Sequence, residues 1–352
     1  MKATVFHGPR DVRVETVPDP VIKAPTDAIV RITRAAICGS DLHSYHGNQQ
    51  VVPGFVLGHE GVGVVEDTGK AVGHLKKGQR VVVAGAVACG QCFFCRRGQV
   101  AQCSVSGAAV FGYGKNFAGT FGEIGGEQAE AVTVPLADYT CYPLPDSISD
   151  EAAIFLADIL PTGYFGALNG DIRPGDTVAI FGCGPVGLCA IIAAQLFGPA
   201  EVIAVDNFPY RLGLARQLGA SAVEVEDAQT TILDHTEGRG ADVAIEAVGH
   251  ISALEAAFQA VRGGGTLSMV GVISDPAISF PMMQAFMKDL TFRTGLANIR
   301  SNIPHLAKLI ERSKIDPRPI ISHTLALDET PYGYKIFDAR TEGALKVLIK
   351  PG

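Results

Sequence analysis

The chain has no surplus of positive charge: 29 lysines and arginines face 36 aspartates and glutamates, for a net charge of −7. That balance offers no basic surface to neutralise a polyphosphate backbone, so nucleic acid is not an expected partner. A secretory signal is also missing from the opening residues, because Met1 to Glu15 mix apolar and charged side chains instead of running basic then apolar. A cytoplasmic protein is expected. No membrane contact is expected either. Residues 178–198 are nearly all apolar, but Gly182, Gly184, Pro185 and Gly187 punctuate them into a strand, a turn and a buried helix. Internal repeats and low-complexity tracts are absent. The eight cysteines lack the scatter of a disulfide framework, since Cys89, Cys92, Cys95 and Cys103 fall within fifteen residues. Such crowding, without a secretion signal, points to metal.

What is present is enough for about two domains, at 352 residues with 47% hydrophobic and 18% charged side chains and 41 glycines. The first 150 residues read as short strands of a small barrel or sandwich: 28–34, 61–66, 80–84 and 131–135. A helical period at 150–156 then opens a strand–helix alternation. It runs through strand 177–181, helix 185–197, strand 201–206, helix 209–218, strand 242–246, helix 251–261 and strand 266–270. This spacing builds a doubly wound parallel sheet, so the class is α/β. A helix near 305–315 and a strand at 345–349 return to mixed texture, which suggests that the two ends of the chain fold together.

The sequence Gly182-Cys183-Gly184-Pro185-Val186-Gly187 places G-x-G-x-x-G after a predicted strand and at a helix start. Gly182 makes the turn, Gly184 admits a pyrophosphate to the backbone, and Gly187 packs helix on strand. Asp206 ends the next strand, nineteen residues past Gly187. A carboxylate there accepts from ribose hydroxyls and repels a 2′-phosphate, which favours NAD over NADP. Arg211 leaves NADP open, since it can neutralise a phosphate or lie along the adenosine. A glycine-rich turn with a solvated strand end is the plain alternative.

The spacing Cys89-x2-Cys92-x2-Cys95-x7-Cys103 closes a tetrahedral shell around Zn²⁺ and leaves no room for substrate, as in a structural site. An iron–sulfur cluster uses similar ligands, but nothing nearby calls for electron transfer. A catalytic zinc needs fewer protein ligands and an open position. Cys38, His59 and Asp158 are the candidates. Singly, each is also explained as a core thiol, a core histidine and a helix cap.

Together these residues resemble the zinc-containing medium-chain dehydrogenase/reductase family, the alcohol dehydrogenases. The resemblance spans essentially the whole length. It rests on Cys-Gly-Ser-Asp-Leu-His at 38–43, Gly-His-Glu at 58–60 with Gly61 and Gly63, the four cysteines, Pro-Thr-Gly at 161–163 and the 182–187 loop. It implies a Rossmann NAD-binding domain (158–296) and a GroES-like catalytic domain (1–157 and 297–352) with a structural zinc lobe at about 88–104. The resemblance also implies two zinc ions per chain, with Cys38, His59 and Asp158 as catalytic ligands and Glu60 as an intermittent one. Asp41 is then the carboxylate that orients His59. Asp158 departs from liver-type enzymes, which carry a second cysteine there. Ser40 is implied as the hydroxyl on the substrate oxygen and His43 as the proton's exit. Thr162, Val248, Val270, Val272 and Lys346 are implied contacts along the cofactor, Lys346 near its pyrophosphate. Gly39 replaces a basic pyrophosphate contact of liver-type enzymes.

The 156–164 and 126–130 segments look closest to formaldehyde-dehydrogenase-like bacterial members. The implied activity is reversible hydride transfer between NAD and a small alcohol, aldehyde or ketone. A polyol or threonine dehydrogenase is the alternative within the family, and a non-catalytic NAD-binding relative the alternative outside enzymes. Residues 266–280 resemble the family's subunit-contact strand, which implies a homo-oligomer, a tetramer over a dimer. Pocket shape is expected to depend on Gln49, Val51, Phe111 and Asn298.

Overall fold

The computed structural model describes residues 1–48, 52–107, 109–115, 123–275 and 277–352. Gln49 and Val51 lie outside them. The chain divides into one unit of Met1–Pro161 with Asn298–Gly352 and a second of Thr162–Ala297. Asp158 therefore belongs with Cys38 and His59.

In the first unit, a seven-stranded sheet runs in the order Cys141–Pro143, Arg80–Val83, Gly61–Thr68, Ala28–Ile37, Lys346–Lys350, Ile321–Ala326, with Ala131–Val134 also paired to Ala28–Ile37. The carboxyl-terminal strand lies antiparallel to Ala28–Ile37, Val347 opposite Ile37, so both chain ends close one sheet. Alternation sets its faces: Val30 and Ile32 point into the core, while Arg31 pairs outside with Glu66. The core gathers Val65, Val81, Val83, Val134, Phe111, Tyr334 and Val347, each large side chain contributing about 1.5–3 kcal/mol by burial. Phe111 is wholly inside this core. The expectation that it shapes a pocket is corrected: its aromatic surface is consumed by packing.

The second unit holds six parallel strands in the order Ser221–Glu224, Glu201–Asp206, Thr177–Phe181, Ala241–Glu246, Val261–Met269, Thr291–Thr294. The order reverses between Thr177–Phe181 and Ala241–Glu246, the switch point where such sheets bind ligands. Val178, Ala179 and Ile180 are fully buried, as strands covered on both faces must be. The apolar run at 178–198 resolves into the end of this strand, the glycine turn and the Pro185–Gln195 helix. Among the described residues no single helix is long and apolar enough to cross a membrane.

Some elements differ from expectation. Residues 150–156 form one helical turn, Asp150–Ala153, followed by a 3₁₀ segment, Ile154–Ala157. The later helix is Ile299–Glu311 and not 305–315. Pro304 sits inside it, where its missing N–H and ring make a helix start look closer. Among the described residues of the 266–280 segment, only those to Met269 are strand, and that part is paired on both sides. The outer edge is Thr291–Thr294 instead.

Candidate active site and metal centres

Three separate pieces of the first unit build one donor set. Cys38 directly follows the Ala28–Ile37 strand, and His59 precedes Gly61–Thr68. These strands pair with Ala35 opposite Gly61, so register brings positions 38 and 59 to the same sheet end. Asp158 stands between Ile154–Ala157 and the Ile159–Asn169 helix in a non-helical conformation, φ −154° and ψ −68°. Gly85 N donates to the Ala157 carbonyl at 2.9 Å and ties this segment to the end of the Arg80–Val83 strand.

Cys38 Sγ lies 3.3 Å and His59 Nε2 3.2 Å from Asp158 Oδ2. Tetrahedral zinc with these donor types separates them by about 3.3–3.6 Å. The donor set fits the ion. Ser40 Oγ is 3.2 Å from both Cys38 Sγ and His59 Nε2 and makes no cap bond to the Asp41–Tyr45 helix that follows it. Its hydroxyl is aimed at the donors, which removes the helix-cap explanation. Asp41 is buried, with Oδ1 3.0 Å from His59 Nδ1, while Oδ2 accepts from Cys38 N at 2.9 Å and Gln128 Nε2 at 3.3 Å. Holding Nδ1 leaves Nε2 to present its lone pair. His43 sits in the last turn of that helix, half-buried, and burial and the nearby His46 hold its imidazole below the usual range.

Charges around the donors are unbalanced without a cation. Burial, Glu60 and Asp158 push the Cys38 thiol up. Burial disfavours the charged His59, but Asp41, Tyr113 and Cys38 outweigh it and raise the imidazole well above its usual range. Burial also opposes ionisation of Asp158, yet His59 and Lys346 hold its carboxyl low. A divalent ion at these atoms would meet a thiolate and a carboxylate that burial otherwise penalises. Glu60 is fully buried and pairs through Oε2 with Lys346 Nζ, while its Oε1 finds no hydrogen bond among the described residues. The expectation that Lys346 meets a pyrophosphate is corrected. Its side chain is 0% exposed, with Nζ between Glu60 and the Ile37 carbonyl.

The second donor set is the four-cysteine lobe. Cys89 Sγ–Cys95 Sγ is 3.9 Å and Cys92 Sγ–Cys103 Sγ 4.0 Å, close to the edge of about 3.8 Å that four thiolates around one zinc require. Backbone N–H groups of Cys95 and Ser104 pull the Cys92 thiol down to about 5, while burial pushes Cys95 up. Asn298, expected at a pocket, instead holds this lobe: its Oδ1 accepts from Ala101 N at 3.1 Å.

The second unit carries the glycine loop. Gly182 has φ +96°, and a Cβ there would meet Val248 Cγ2 at 2.6 Å. A Cβ on Gly187 would fall 1.7 Å from the Gly182 carbonyl oxygen. Nothing lies within 4 Å of a Cβ on Gly184, which caps the Pro185–Gln195 helix with no side-chain bond. Open space thus faces the N–H groups at the start of this helix, whose first turn Pro185 and Val186 form. That fits an anion such as a pyrophosphate. Asp206 Oδ2 accepts from Cys183 N at 2.7 Å and Oδ1 from Phe208 N at 2.9 Å. A carboxylate has about four acceptor sites, so two stay available for ribose hydroxyls. Arg211 Nη1 is 3.8 Å from Asp206 Oδ2, and its guanidinium lies over Phe208 at 4.8 Å and Tyr210 at 5.6 Å. Val248 and Val272 are half-exposed beyond the carboxyl ends of the central strands. Val270 N donates to Glu246 O at 2.9 Å in the same region. Thr162 lies at the start of this unit, half-buried.

Three residues escaped the sequence reading. Tyr113 stacks edge-on to His59, centroids 5.4 Å apart, and burial pushes its phenol up. Glu127 is fully buried with both carboxylate oxygens unpartnered among the described residues. Glu246 accepts from Val248 N and Gly249 N at 2.8 and 2.7 Å, and so shapes the loop beside Gly182. Glu127 had a weak signal, lying in the 126–130 segment already singled out; the others had none.

The chain matches known families and proteins along its length. Residues 24–146 match the alcohol dehydrogenase GroES-like domain, and 185–312 the zinc-binding dehydrogenase family. A zinc-type alcohol dehydrogenase-like protein of Bacillus subtilis is 39% identical, with 100% of both chains covered. A sorbitol dehydrogenase of Bacillus subtilis is 32% identical over 100% of this chain and 97% of its own. The solved alcohol dehydrogenase of Thermus sp. ATN1 is 43% identical, with 99% of each chain covered and a TM-score of 0.92. The chain belongs to the zinc-containing medium-chain alcohol dehydrogenase family, and is an oxidoreductase with a nicotinamide-binding fold.

Proposed function

We propose that the chain is an NAD-dependent alcohol dehydrogenase that interconverts a small alcohol with its aldehyde or ketone. The observation that carries this reading is the approach of Cys38 Sγ and His59 Nε2 to 3.3 and 3.2 Å from Asp158 Oδ2, with the Ser40 hydroxyl beside the first two. Three protein donors leave one tetrahedral vertex for substrate. Held there, Zn²⁺ would supply Lewis acidity that lowers the pKa of an oxygen acid at the vacant vertex. NAD, held at the Gly184 turn and by Asp206, would supply the hydride acceptor.

The protein's own groups do the rest. Ser40 Oγ accepts the proton that leaves the substrate hydroxyl as it gives up its own, and His43 passes that released proton toward solvent. Asp41 keeps the His59 ring fixed and its Nε2 unprotonated. Lys346 pairs with Glu60 Oε2, and Glu60 Oε1, which finds no hydrogen bond among the described residues, is the oxygen that would turn toward the donors when a ligand exchanges. Asp206 selects NAD by repelling a 2′-phosphate, and Val248 and Val272 give the cofactor an apolar surface. Thr162 and Val270 are read as further cofactor contacts.

The test follows NADH absorbance with short primary and secondary alcohols, alongside metal analysis. Turnover with two zinc ions per chain supports the reading. Wild-type turnover by Cys38→Ser would refute it. A polyol substrate is the second reading, favoured by the sorbitol dehydrogenase relative, and the same screen with polyols decides between them. A homo-oligomer, a tetramer over a dimer, is also proposed. Met282, Met283, Phe286 and Met287 are 68–78% exposed next to the open Thr291–Thr294 edge, where apolar surface calls for cover.

A further inference from the structure

The Ile299–Glu311 helix touches two places in the first unit that the family reading treats as separate. Its start grips the four-cysteine lobe and the segment beneath it. Asn298 Oδ1 accepts from Ala101 N at 3.1 Å, and Ser301 Oγ lies 3.0 Å from the Gly98 carbonyl. Gly98 and Ala101 both fall between Cys95 and Cys103. Arg300 reaches under the lobe. Its Nε donates to the Tyr139 carbonyl and its Nη2 to the Cys141 carbonyl at 3.4 Å, with the guanidinium 4.7 Å over the Tyr139 ring and 5.3 Å over Tyr142. Tyr139 in turn packs against the cysteine cluster, so closely that a Cβ on Gly90 would fall 2.5 Å from its ring.

The same helix also carries an apolar face. Ile299, Ile303, Leu306 and Ala307 are buried, and the helix packs on Ile154–Ala157. That segment ends at Asp158. Because Asp158 itself has neither helical nor strand dihedrals, the packing of the segments on either side of it sets where its backbone stands. Arg300 has no carboxylate within ion-pair distance among the described residues. A cation taken from water onto carbonyls and rings is costly unless its place is well defined, so Arg300 is a fixed joint and not a solvated surface charge.

We infer that the Ile299–Glu311 helix is a strut that couples the four-cysteine lobe to the Cys38–His59–Asp158 donor set, with Arg300 the positioning residue at its joint. Closure of the lobe by four thiolates around one ion fixes Gly98, Ala101 and Tyr139. Arg300, Asn298 and Ser301 carry that fixed shape to the helix, and the helix holds Ile154–Ala157, hence Asp158. The inference rests on the reading that both donor sets hold metal.

The test uses full-length protein carrying zinc in the lobe and cobalt at the three-donor site, whose absorption reports its ligand geometry. Cys103→Ser, Arg300→Met, the double variant and Arg300→Lys are compared by the cobalt band and by the rate at which a chelator withdraws the cobalt. Each single variant is expected to shift the band and speed withdrawal on the order of 10-fold, the usual effect of losing a group that orients a ligand. The double variant should do little more than either single one, because both break the same path. Arg300→Lys should recover part of the effect. If a variant fails to fold, Ser301→Ala replaces it, removing one hydrogen bond from the same joint with a severalfold effect expected. Unchanged band and withdrawal rate, or effects that multiply independently, would overturn the strut. A wild-type protein that binds no metal at the three donors would overturn the functional reading as well, so the two failures are told apart.

Discussion

Lys346 and Glu60 form an ion pair in which both side chains are 0% exposed, at the edge of the donor set of Cys38, His59 and Asp158. Burial pushes the Glu60 carboxyl up and Lys346 opposes it; burial lowers the ammonium, but Glu60 and Cys38 more than restore it. Each charge is tolerable only because the other is present. Lys346→Met should therefore cost about 3–5 kcal/mol of stability, the usual effect of stranding one buried charge. Glu60→Gln with Lys346→Met should recover most of that loss. Urea denaturation of the three proteins checks it, and a double variant as unstable as the single one would count against the pair.

The Asp41 carboxylate is the next group whose removal has a definite consequence. It meets His59 Nδ1 and the Cys38 backbone N–H at once. Asp41→Asn keeps the size but offers an amide group where His59 and Cys38 both need an acceptor. Zinc affinity at the three-donor site should fall about 10–100-fold, with the four-cysteine site retained. Competition against a chromogenic chelator measures both sites in one titration, and equal loss from both would contradict the assignment.

How far the sequence reached can be seen in particular residues. Thr177–Phe181 and Glu201–Asp206 are legible to the residue, because apolar runs with glycine turns leave few alternatives for a strand buried on both faces. The four cysteines are legible for a similar reason: their spacing is local. Cys38, His59 and Asp158 are not, since 99 residues separate the last two, and sheet register, the Gly85–Ala157 hydrogen bond and the packing of the Ile299–Glu311 helix on Ile154–Ala157 bring them together. The family resemblance supplied that set. Lys346 shows the limit of such transfer. A basic residue at a matching position says nothing of whether its ammonium faces a cofactor or a buried glutamate across 286 residues. Tyr113 and Glu127 carry no periodic or spacing signal; only burial and contacts single them out.

Asp206 allows a prediction about cofactor choice. Its two oxygens already hold Cys183 N and Phe208 N, and Arg211 waits 3.8 Å away over two aromatic rings. Asp206→Ser removes the negative charge and leaves Arg211 free to meet a 2′-phosphate. The ratio of kcat/KM for NADP over NAD should rise by at least about 10-fold, equivalent to about 1.4 kcal/mol of relieved repulsion. Steady-state kinetics with each cofactor gives the ratio directly. An unchanged ratio would mean that the 2′ position is read elsewhere.

Glu127 makes stability depend on pH in a direction that can be worked out. Burial above all, then Glu60 and Asp41 against the opposing charge of His59, raises its carboxyl well above the usual range. The folded state therefore holds this proton to a higher pH than the unfolded chain does. Stability from that difference is complete below the unfolded pKa, near 4.3 by the usual value, and is lost as pH rises through the folded one. Glu127→Gln keeps the shape and cannot ionise. The variant should gain on the wild type by at least about 1–2 kcal/mol between pH 4 and pH 8, because one unit of pKa shift corresponds to about 1.4 kcal/mol. Denaturant titrations at the two pH values decide the matter: a gap that stays constant would show that Glu127 is ionised and paired throughout, and a gap that narrows toward pH 8 would mean that the folded protein favours the ionised carboxylate.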